Sequence, residues 1–292
     1  MMSVSVIVPN LHDPMIDRTV EGLLKQTYRG KYEIIIIGQD KYNLLEKFKK
    51  RKQVKIITTK KPEIASVNRN IGIKKTRGDY LFFIDSDCIP EPNWIRWHMK
   101  NHINTDRVVI GSFLLEKSTN FWQFCDNISH FYAFSSKRKK GVADAFSAAN
   151  SSLPKSLLKK VGIFNEHLAI GEDLEMSLRM QKAHLSLIFE PLAQVAHLPS
   201  SRTSFISMLK HSYSWGQNSL KVRTKFLEVR SLPFFMKNRL TLIFMTPIIS
   251  IGVAANIFLS IPHLMRYFYI LPIIACSKFA WCIGAISTWR KE

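Results

Sequence analysis

The sequence predicts an α/β protein built on a doubly wound sheet, followed by C-terminal amphipathic and membrane-spanning helices. Three observations carry that reading. Short β-branched runs alternate with segments of helical periodicity over the first eighty-odd residues, which predicts βαβ units. One of those runs, Tyr80 to Ile84, ends abruptly in Asp85-Ser86-Asp87. The last fifty residues hold two long apolar stretches.

The elements follow in order. Val4 to Val8 is stopped by Pro9-Asn10, and Met15 to Gln26 places Ile16, Val20, Leu23 and Leu24 at helical spacing. Ile34 to Ile37 is a continuous apolar run, as expected of a strand buried on both faces of a parallel sheet. It ends in Gly38-Gln39-Asp40, and a Lys/Arg-rich helix is expected over Asn43 to Lys52. A third strand, Val54 to Thr58, a helix from about Glu63 to Lys75, and the strand Tyr80 to Ile84 complete the alternation. Residues i and i+2 of an extended chain share a face, so Asp85 and Asp87 can present oxygens to one hard cation at the sheet edge where open α/β folds bind ligands. An Asp-Ser-Asp turn with only local hydrogen bonds is the plain alternative.

Past Asp87, Pro90-Glu91-Pro92 opens a helix with Trp94, Ile95 and Trp97, and Val108 to Gly111 reads as a strand. An aromatic-rich piece, Phe121 to Phe134, leads to the basic loop Lys137-Arg138-Lys139-Lys140. The small-residue stretch Ala143 to Ser152 precedes a helix that Pro154 is expected to start. Gly171-Glu172-Asp173 opens a helix over Leu174 to Ala183, with acids at its N-terminus and Arg179 and Lys182 near its end, as the helix dipole favours. Two short strands, Ser186 to Phe189 and Gln194 to His197, close the unit.

Forty-two Lys and Arg against twenty-two Asp and Glu give the 292-residue chain a formal charge of +20, which calls for an anionic partner. The C-terminus selects the membrane. Leu240 to Ile261 has no ionisable side chain and is long enough to cross a bilayer, and a second apolar run extends from Tyr267 to about Ser287 despite Lys278. The linking residues 262–266 carry little charge, while the N-terminal part and the Trp289-Arg290-Lys291 tail carry much. By the positive-inside rule both termini are expected in the cytoplasm. Met1 to Pro9 lacks a basic leader region, so the catalytic part is expected to stay there too. Thr203 to Arg230 interleaves aromatic and aliphatic residues with cations in the manner of an interfacial amphipathic helix. The expected division is therefore residues 1–200 catalytic, 201–237 interfacial and 238–292 two spans with a short tail. Cys88, Cys125, Cys276 and Cys282 have no metal-binding or disulfide spacing.

Several segments, weak alone, are strong in this order: Val6-Ile7-Val8-Pro9; Asn68-Arg69-Asn70-Ile71-Gly72 with Arg77-Gly78-Asp79; Phe83-Ile84-Asp85-Ser86-Asp87; Val161-Gly162-x-Phe164-Asn165-Glu166; Gly171-Glu172-Asp173 with Arg179; and Pro191-x-Ala193-x-Val195-x-His197. From Ser3 to His197 the chain resembles the inverting glycosyltransferases of family 2, with their GT-A fold, a doubly wound mixed sheet. The resemblance implies a nucleotide-sugar donor held by Pro9, Asp40, Arg69, Asp85 and Asp87. It implies Mn²⁺ or Mg²⁺ on Asp87 with Asp85 at the metal or ribose, and His197 either completing the coordination or serving as a buried structural histidine. Asp173, beside Glu172, would be the catalytic base.

Physical chemistry asks for the same groups. A departing nucleoside diphosphate gathers negative charge that a carboxylate-bound cation neutralises, and Mg²⁺ and Mn²⁺ prefer such oxygen ligands. Direct displacement needs one base to take the acceptor's proton. Arg69 offers a permanently charged guanidinium suited to phosphate, or else a salt bridge. One departure stands out. The family's acidic pair after the second strand is here Gly38-Gln39, so either Asp40 reads the nucleobase from a shifted loop or Gln39 does so through its amide. Lys137, Arg138, Lys139 and Lys140, together with Arg202, are candidates for contacting a lipid phosphate or the anionic leaflet. The expected acceptor is a lipid-linked, polyprenyl-phosphate sugar or a glycan in cell-surface polysaccharide assembly. Two other classes compete. Metal-dependent nucleotidyl transfer gives Glu172 and Asp173 no role, and nucleic-acid binding finds no reading motif, so no nucleic-acid partner is expected.

Overall fold

The computed structural model describes residues 2–103 and 105–289. Of the expected basic tail, Arg290 and Lys291 lie outside the described residues. The chain divides into two compact units, one of Met1–Leu114 with Lys139–Ser200 and one of Leu115–Arg138 with Ser201–Glu292.

In the first unit, β1 (Val4–Leu11), α1 (Ile16–Leu24), β2 (Tyr32–Gln39), β3 (Val54–Thr58), α2 (Ala65–Lys75) and β4 (Tyr80–Ile84) form the expected alternation. The sheet order is β3-β2-β1-β4, all parallel, with Val6 opposite both Ile34 and Phe82. Ile34 to Ile37 and Leu81 to Ile84 are essentially fully buried, which is why they read as unbroken apolar runs. The helix expected over Asn43 to Lys52 is instead a single 3₁₀ turn, Glu46–Phe48. Only Leu45 and Phe48 turn inward there, too few apolar anchors to hold a longer helix against the core.

The other half of the sheet departs further from expectation. After β5 (Cys88–Pro90), α3 (Trp94–Lys100) and β6 (Val108–Phe113), the chain runs through α4 (Phe121–Phe131), which belongs to the second unit, and returns as β7 (Gly141–Val142). The stretch around Ala143 to Ser152, which carries no strand signature, contains β8 (Asn150–Pro154), an antiparallel strand between β4 and β6. Its polar residues are all buried, and Asn150 is satisfied by a ring of partners: it accepts from Trp94 Nε1 at 2.7 Å and donates to the Ser112 and Ala193 carbonyls at 2.9 and 3.0 Å. Pro154 ends that strand rather than starting a helix; a 3₁₀ turn and the short α5 (Leu158–Val161) follow. α6 (Glu172–Lys182) begins where expected. The two closing strands are one, β9 (Leu187–His197), whose register against β6 shifts between Ile110 and Ser112. The completed order is β3-β2-β1-β4-β8-β6-β9-β5, with β7 on β9. This is a mixed sheet.

The second unit contains α4, α7 (Phe205–Thr224), α8 (Arg239–Ser260) and α9 (Leu271–Thr288), with a 3₁₀ segment, Pro262–Ile270, between the last two. Ser204 caps α7 through a reciprocal capping box with Ser207, and Asn238 caps α8. Among the described residues, Arg239–Ser260 and Pro262–Thr288 are long and apolar enough to cross a membrane.

Candidate active site

The carboxyl ends of β1 and β4 and the N-terminal parts of α2 and α6 surround a cleft of about 410 Å³ lined by Pro9, Asn10, Asp13, Asn68, Arg69, Asp85, Asp87 and Glu172, among others. Its position follows from the parallel half of the sheet, where ligand sites lie beyond the strand ends. Gly38 lets the ends of β1 and β2 approach: its φ is +133°, and a Cβ there would sit 1.8 Å from the Asn10 carbonyl oxygen.

Arg69 is the centre of the arrangement. It is only 2% exposed, donating from one guanidinium nitrogen to Asp85 Oδ1 at 2.6 Å and from the other to Glu172 Oε1 at 2.7 Å. Its guanidinium also lies over the Phe164 ring, 5.4 Å from the centroid. Burial opposes the charge, but Asp85 and Glu172 outweigh it and keep the group cationic. Arg69 therefore joins the strand-end aspartates to the acid pair across 103 residues of sequence. Its neighbour Asn70 fixes the loop before α6 by exchanging hydrogen bonds with the backbone of Phe164 and donating to Glu166.

Asp87 takes a different environment. β5 pairs with β9 so that Cys88 stands opposite His197, which brings His197 Nε2 to 3.6 Å from Asp87 Oδ2. That is long for a hydrogen bond and suited to two ligands flanking one ion. The Cys88 sulfur belongs to the same cluster, but burial and then the charge of Asp87 hold it as a thiol, a poor partner for a hard cation. Asp87 and His197 thus offer donors that fit Mn²⁺ or Mg²⁺, while Asp85 gives its Oδ1 to Arg69.

Asp173 sits in the first turn of α6, entered through Gly171 in the left-handed region, and its Oδ1 accepts from the Leu174 amide at 2.7 Å. Burial, then the charge of Glu172, push its carboxyl up to about 7, partly offset by Arg69. A carboxylate with that affinity for a proton can serve as a base near neutral pH. It is Glu172, not Asp173, that lines the cleft.

Other expected residues are placed elsewhere. Asp40 accepts from the Leu45 amide at 2.8 Å and caps the turn after β2, while Gln39 donates to the Thr59 carbonyl; neither lines the cleft. The basic loop is divided between the two units. Lys140 pairs with the buried Glu190 at 2.9 Å and donates to Asn101 at 2.6 Å, and Arg138 donates to the Ala133 carbonyl. Arg202 contacts Asp126 in the second unit. Asp13 went unnoticed in the sequence. It lines the cleft from the loop after β1, and burial together with the charge of Asp87 raises its carboxyl to about 6. Its place four residues past Pro9, at the same sheet edge as Asp85, was the available signal.

The sequence profile described as Glycosyl transferase family 2 matches residues 5–162, more than half of the chain. The chain belongs to glycosyltransferase family 2. A second profile, Glycosyl transferase family group 2, matches residues 94–288 and so reaches through the C-terminal helices. Among curated relatives, Glycosyltransferase AglE of Haloferax volcanii is 22% identical over 226 residues, covering 75% of this chain and 73% of its own. Glycosyltransferase GlyG of Streptococcus pneumoniae serotype 4 is 25% identical over 240 residues, covering 76% and 78%. Poly(ribitol-phosphate) beta-N-acetylglucosaminyltransferase TarP of Staphylococcus aureus is 37% identical over 98 residues, 30% of this chain and 29% of that one. The crystal structure of GalNAc-T7 with UDP, GalNAc and Mn²⁺ shares the fold, with a TM-score of 0.56 at 18% identity. It covers 80% of this chain, which spans about half the length of that one. The fold is GT-A, and the enzyme is a glycosyltransferase that uses a nucleotide-sugar donor.

Proposed function

We propose that this enzyme transfers a sugar with inversion from a nucleoside-diphosphate donor to a hydroxyl of a membrane-associated acceptor, such as a polyprenyl-phosphate-linked sugar, in the assembly of a surface glycan. The observation that carries the reading is the Arg69 bridge, which joins Asp85 to Glu172 at the cleft that Asp87 also lines, with Asp173 next in the chain to Glu172. Asp87 and His197, with Asp85 beside them, would hold the divalent cation, Mn²⁺ or Mg²⁺, which would offset the charge gathered by the departing diphosphate. Pro9 and Asp13 line the donor cleft. Asp173 accepts the proton of the acceptor hydroxyl as that oxygen bonds to the sugar's anomeric carbon. The bond from that carbon to the phosphate oxygen breaks on the opposite side, and its electron pair leaves with the nucleoside diphosphate. Arg69, occupied by two carboxylates, acts as a positioning residue for both halves of the site.

The test incubates detergent-solubilised enzyme with Mn²⁺ and a panel of nucleotide sugars, follows nucleoside diphosphate release beside Asp87→Ala and Asp173→Asn, and assigns the product anomer by NMR. Release by the wild type alone, with an inverted anomer, is expected. Equal release by all three proteins would remove the proposed roles, and a retained anomer would remove direct displacement.

A further inference from the structure

The helical unit has a direction. α7 and α9 run side by side and parallel: Ser212 bonds Ser277 at 2.6 Å, Gly216 faces Trp281, and the Thr288 hydroxyl donates to the Gln217 carbonyl at 3.0 Å. The two glycines at the crossing admit nothing larger, since a Cβ on Gly216 would lie 1.9 Å from the Trp281 carbonyl oxygen and one on Gly284 2.0 Å from that of Tyr213. α8 runs the other way, with Leu242 near its start in one buried cluster with Ala285 near the end of α9. The chain enters the unit at Leu115, leaves it after Arg138 and enters again at Ser201. The first and last of these junctions lie at one end of the bundle. Glu116 bonds His263 and Arg266 of the segment between α8 and α9, Phe124 at the start of α4 stacks edge-on with Tyr267, and Ser204 caps the start of α7. The connection over residues 225–238 lies at the opposite end, where Leu232 and Met236 meet Leu220.

A consequence follows for the membrane. If α8 crossed a bilayer, its ends would lie on opposite faces, and α7, which joins the junction end to the far end, would have to cross as well. α7 is not among the helices apolar enough to do so. It carries exposed Lys210 and Lys221 and, along its middle, Gln217 and Asn218. Crossing would also place Lys225, Arg230, Lys237 and Arg239 on the face away from the junctions, while the turn between α8 and α9 on the near side holds Arg266. Yet α8 has an outward stripe, Leu240, Phe244, Ile248, Ile251 and Leu259, with Phe244 78% and Leu259 70% exposed. Cations flank that stripe at both ends.

We infer that the α8–α9 hairpin does not traverse the membrane but lies along one face of it, with the outer stripe of α8 in the acyl layer and the cations at both ends among the phosphates of the same leaflet. On this inference the two expected spans would instead form a monotopic anchor. The inference rests on the membrane association proposed above, and the two are tested separately.

Flotation of the full chain with vesicles of phosphatidylcholine and phosphatidylglycerol tests association. The wild type is expected to float and Phe244→Glu with Ile248→Glu to stay at the bottom; a wild type that does not float, or a double variant that floats equally, would overturn it. Topology is read in sealed membrane vesicles of one orientation with a membrane-impermeant maleimide, in a Cys276→Ser background whose remaining cysteines are buried. Ser231→Cys and Lys225→Cys probe the far end, Met265→Cys the near end, and Lys61→Cys the catalytic unit. All four are expected to label, or be protected, together. Far-end cysteines that label only after detergent, while residues 61 and 265 label before it, would establish a crossing and overturn the inference whatever the enzyme's activity.

Discussion

Each unit sets an arginine against carboxylate, and the two networks end differently. In the catalytic unit Arg69 joins Asp85 and Glu172, while Asp87 lines a 410 Å³ cleft and Asp173 has a raised proton affinity. In the helical unit Asp126 is fully buried and used on both sides: His211 and His130 approach Oδ1 at 3.0 and 3.3 Å, and Arg202 approaches Oδ2 at 3.3 Å. His, Asp and His in such proximity have the composition of a metal site. With Arg202 already balancing the carboxylate, the cluster has little electrostatic call for a cation. The contrast teaches that residue type alone does not mark a site. What marks it is a group of carboxylates facing a space a ligand can enter, as Asp85, Asp87 and Glu172 do and the buried Asp126 does not.

The contrast can be broken at several points, beginning with the largest effect. Asp87→Ala removes the carboxylate proposed to hold the cation, and a loss of about 10³-fold or more in kcat/KM is expected, since a Lewis acid on the leaving group contributes several kcal/mol. Steady-state assays at saturating Mn²⁺ check it, and a loss that excess metal fully restores would assign Asp87 to affinity alone. Asp173→Asn should lower kcat by roughly 10²- to 10⁴-fold, the usual reach of a general base. In the wild type kcat should fall as pH drops below about 7, because the raised carboxyl is then protonated. A profile flat from pH 6 to pH 8 would count against that role.

Arg69→Met should cost about 3 kcal/mol of stability, as breaking a buried pair leaves two carboxylates without their partner. It should also lower activity, because both halves of the site lose their common anchor. Asp126→Ala should cost a similar or smaller amount in thermal unfolding yet leave nucleotide binding unchanged. That difference in readout separates the open network from the closed one. A smaller effect concerns the core under the sheet, where burial pushes His98 down to about 4 and His102 to about 3. Both are neutral in the fold and gain protons on unfolding. Their contribution is therefore complete above the ordinary histidine range near 6.5 and is lost as pH falls from there toward 4. Urea midpoints across that window should drop less steeply in His98→Asn than in the wild type.

How much the sequence disclosed depended on whether a residue's environment is local. β1, β2 and β4 were legible because both faces are covered and every position is apolar. β8 was hidden because Asn150 and Ser152 are satisfied by partners far along the chain, Trp94, Ser112 and Ala193 for the first and His98 and His102 for the second, which no periodicity displays. The expected helix over Asn43 to Lys52 failed for the opposite reason: its residues tolerate a helix, but only two of them have a core to pack against. In the site, Asp85, Asp87 and the Glu172-Asp173 pair stand in recognisable local settings, so their types and order exposed them. The role of Arg69 required knowing that α2 and α6 converge, and Asp13 required knowing that the loop after β1 folds over the end of β4. Lys140 looked like an exposed cation because its partner Glu190 lies 50 residues away, held below the ordinary glutamate range by Asn101 and by Lys140 itself, against the effect of burial.

The central claim is that the open network binds a nucleoside diphosphate through a divalent cation while the closed one does not take part. Calorimetric titration of the full chain with UDP and with GDP, with and without Mn²⁺, tests it most directly. Metal-dependent binding of one nucleotide is expected for the wild type and for Asp126→Ala, with loss in Asp87→Ala. Binding that needs no metal, or that Asp126→Ala abolishes while Asp87→Ala retains, would contradict the account.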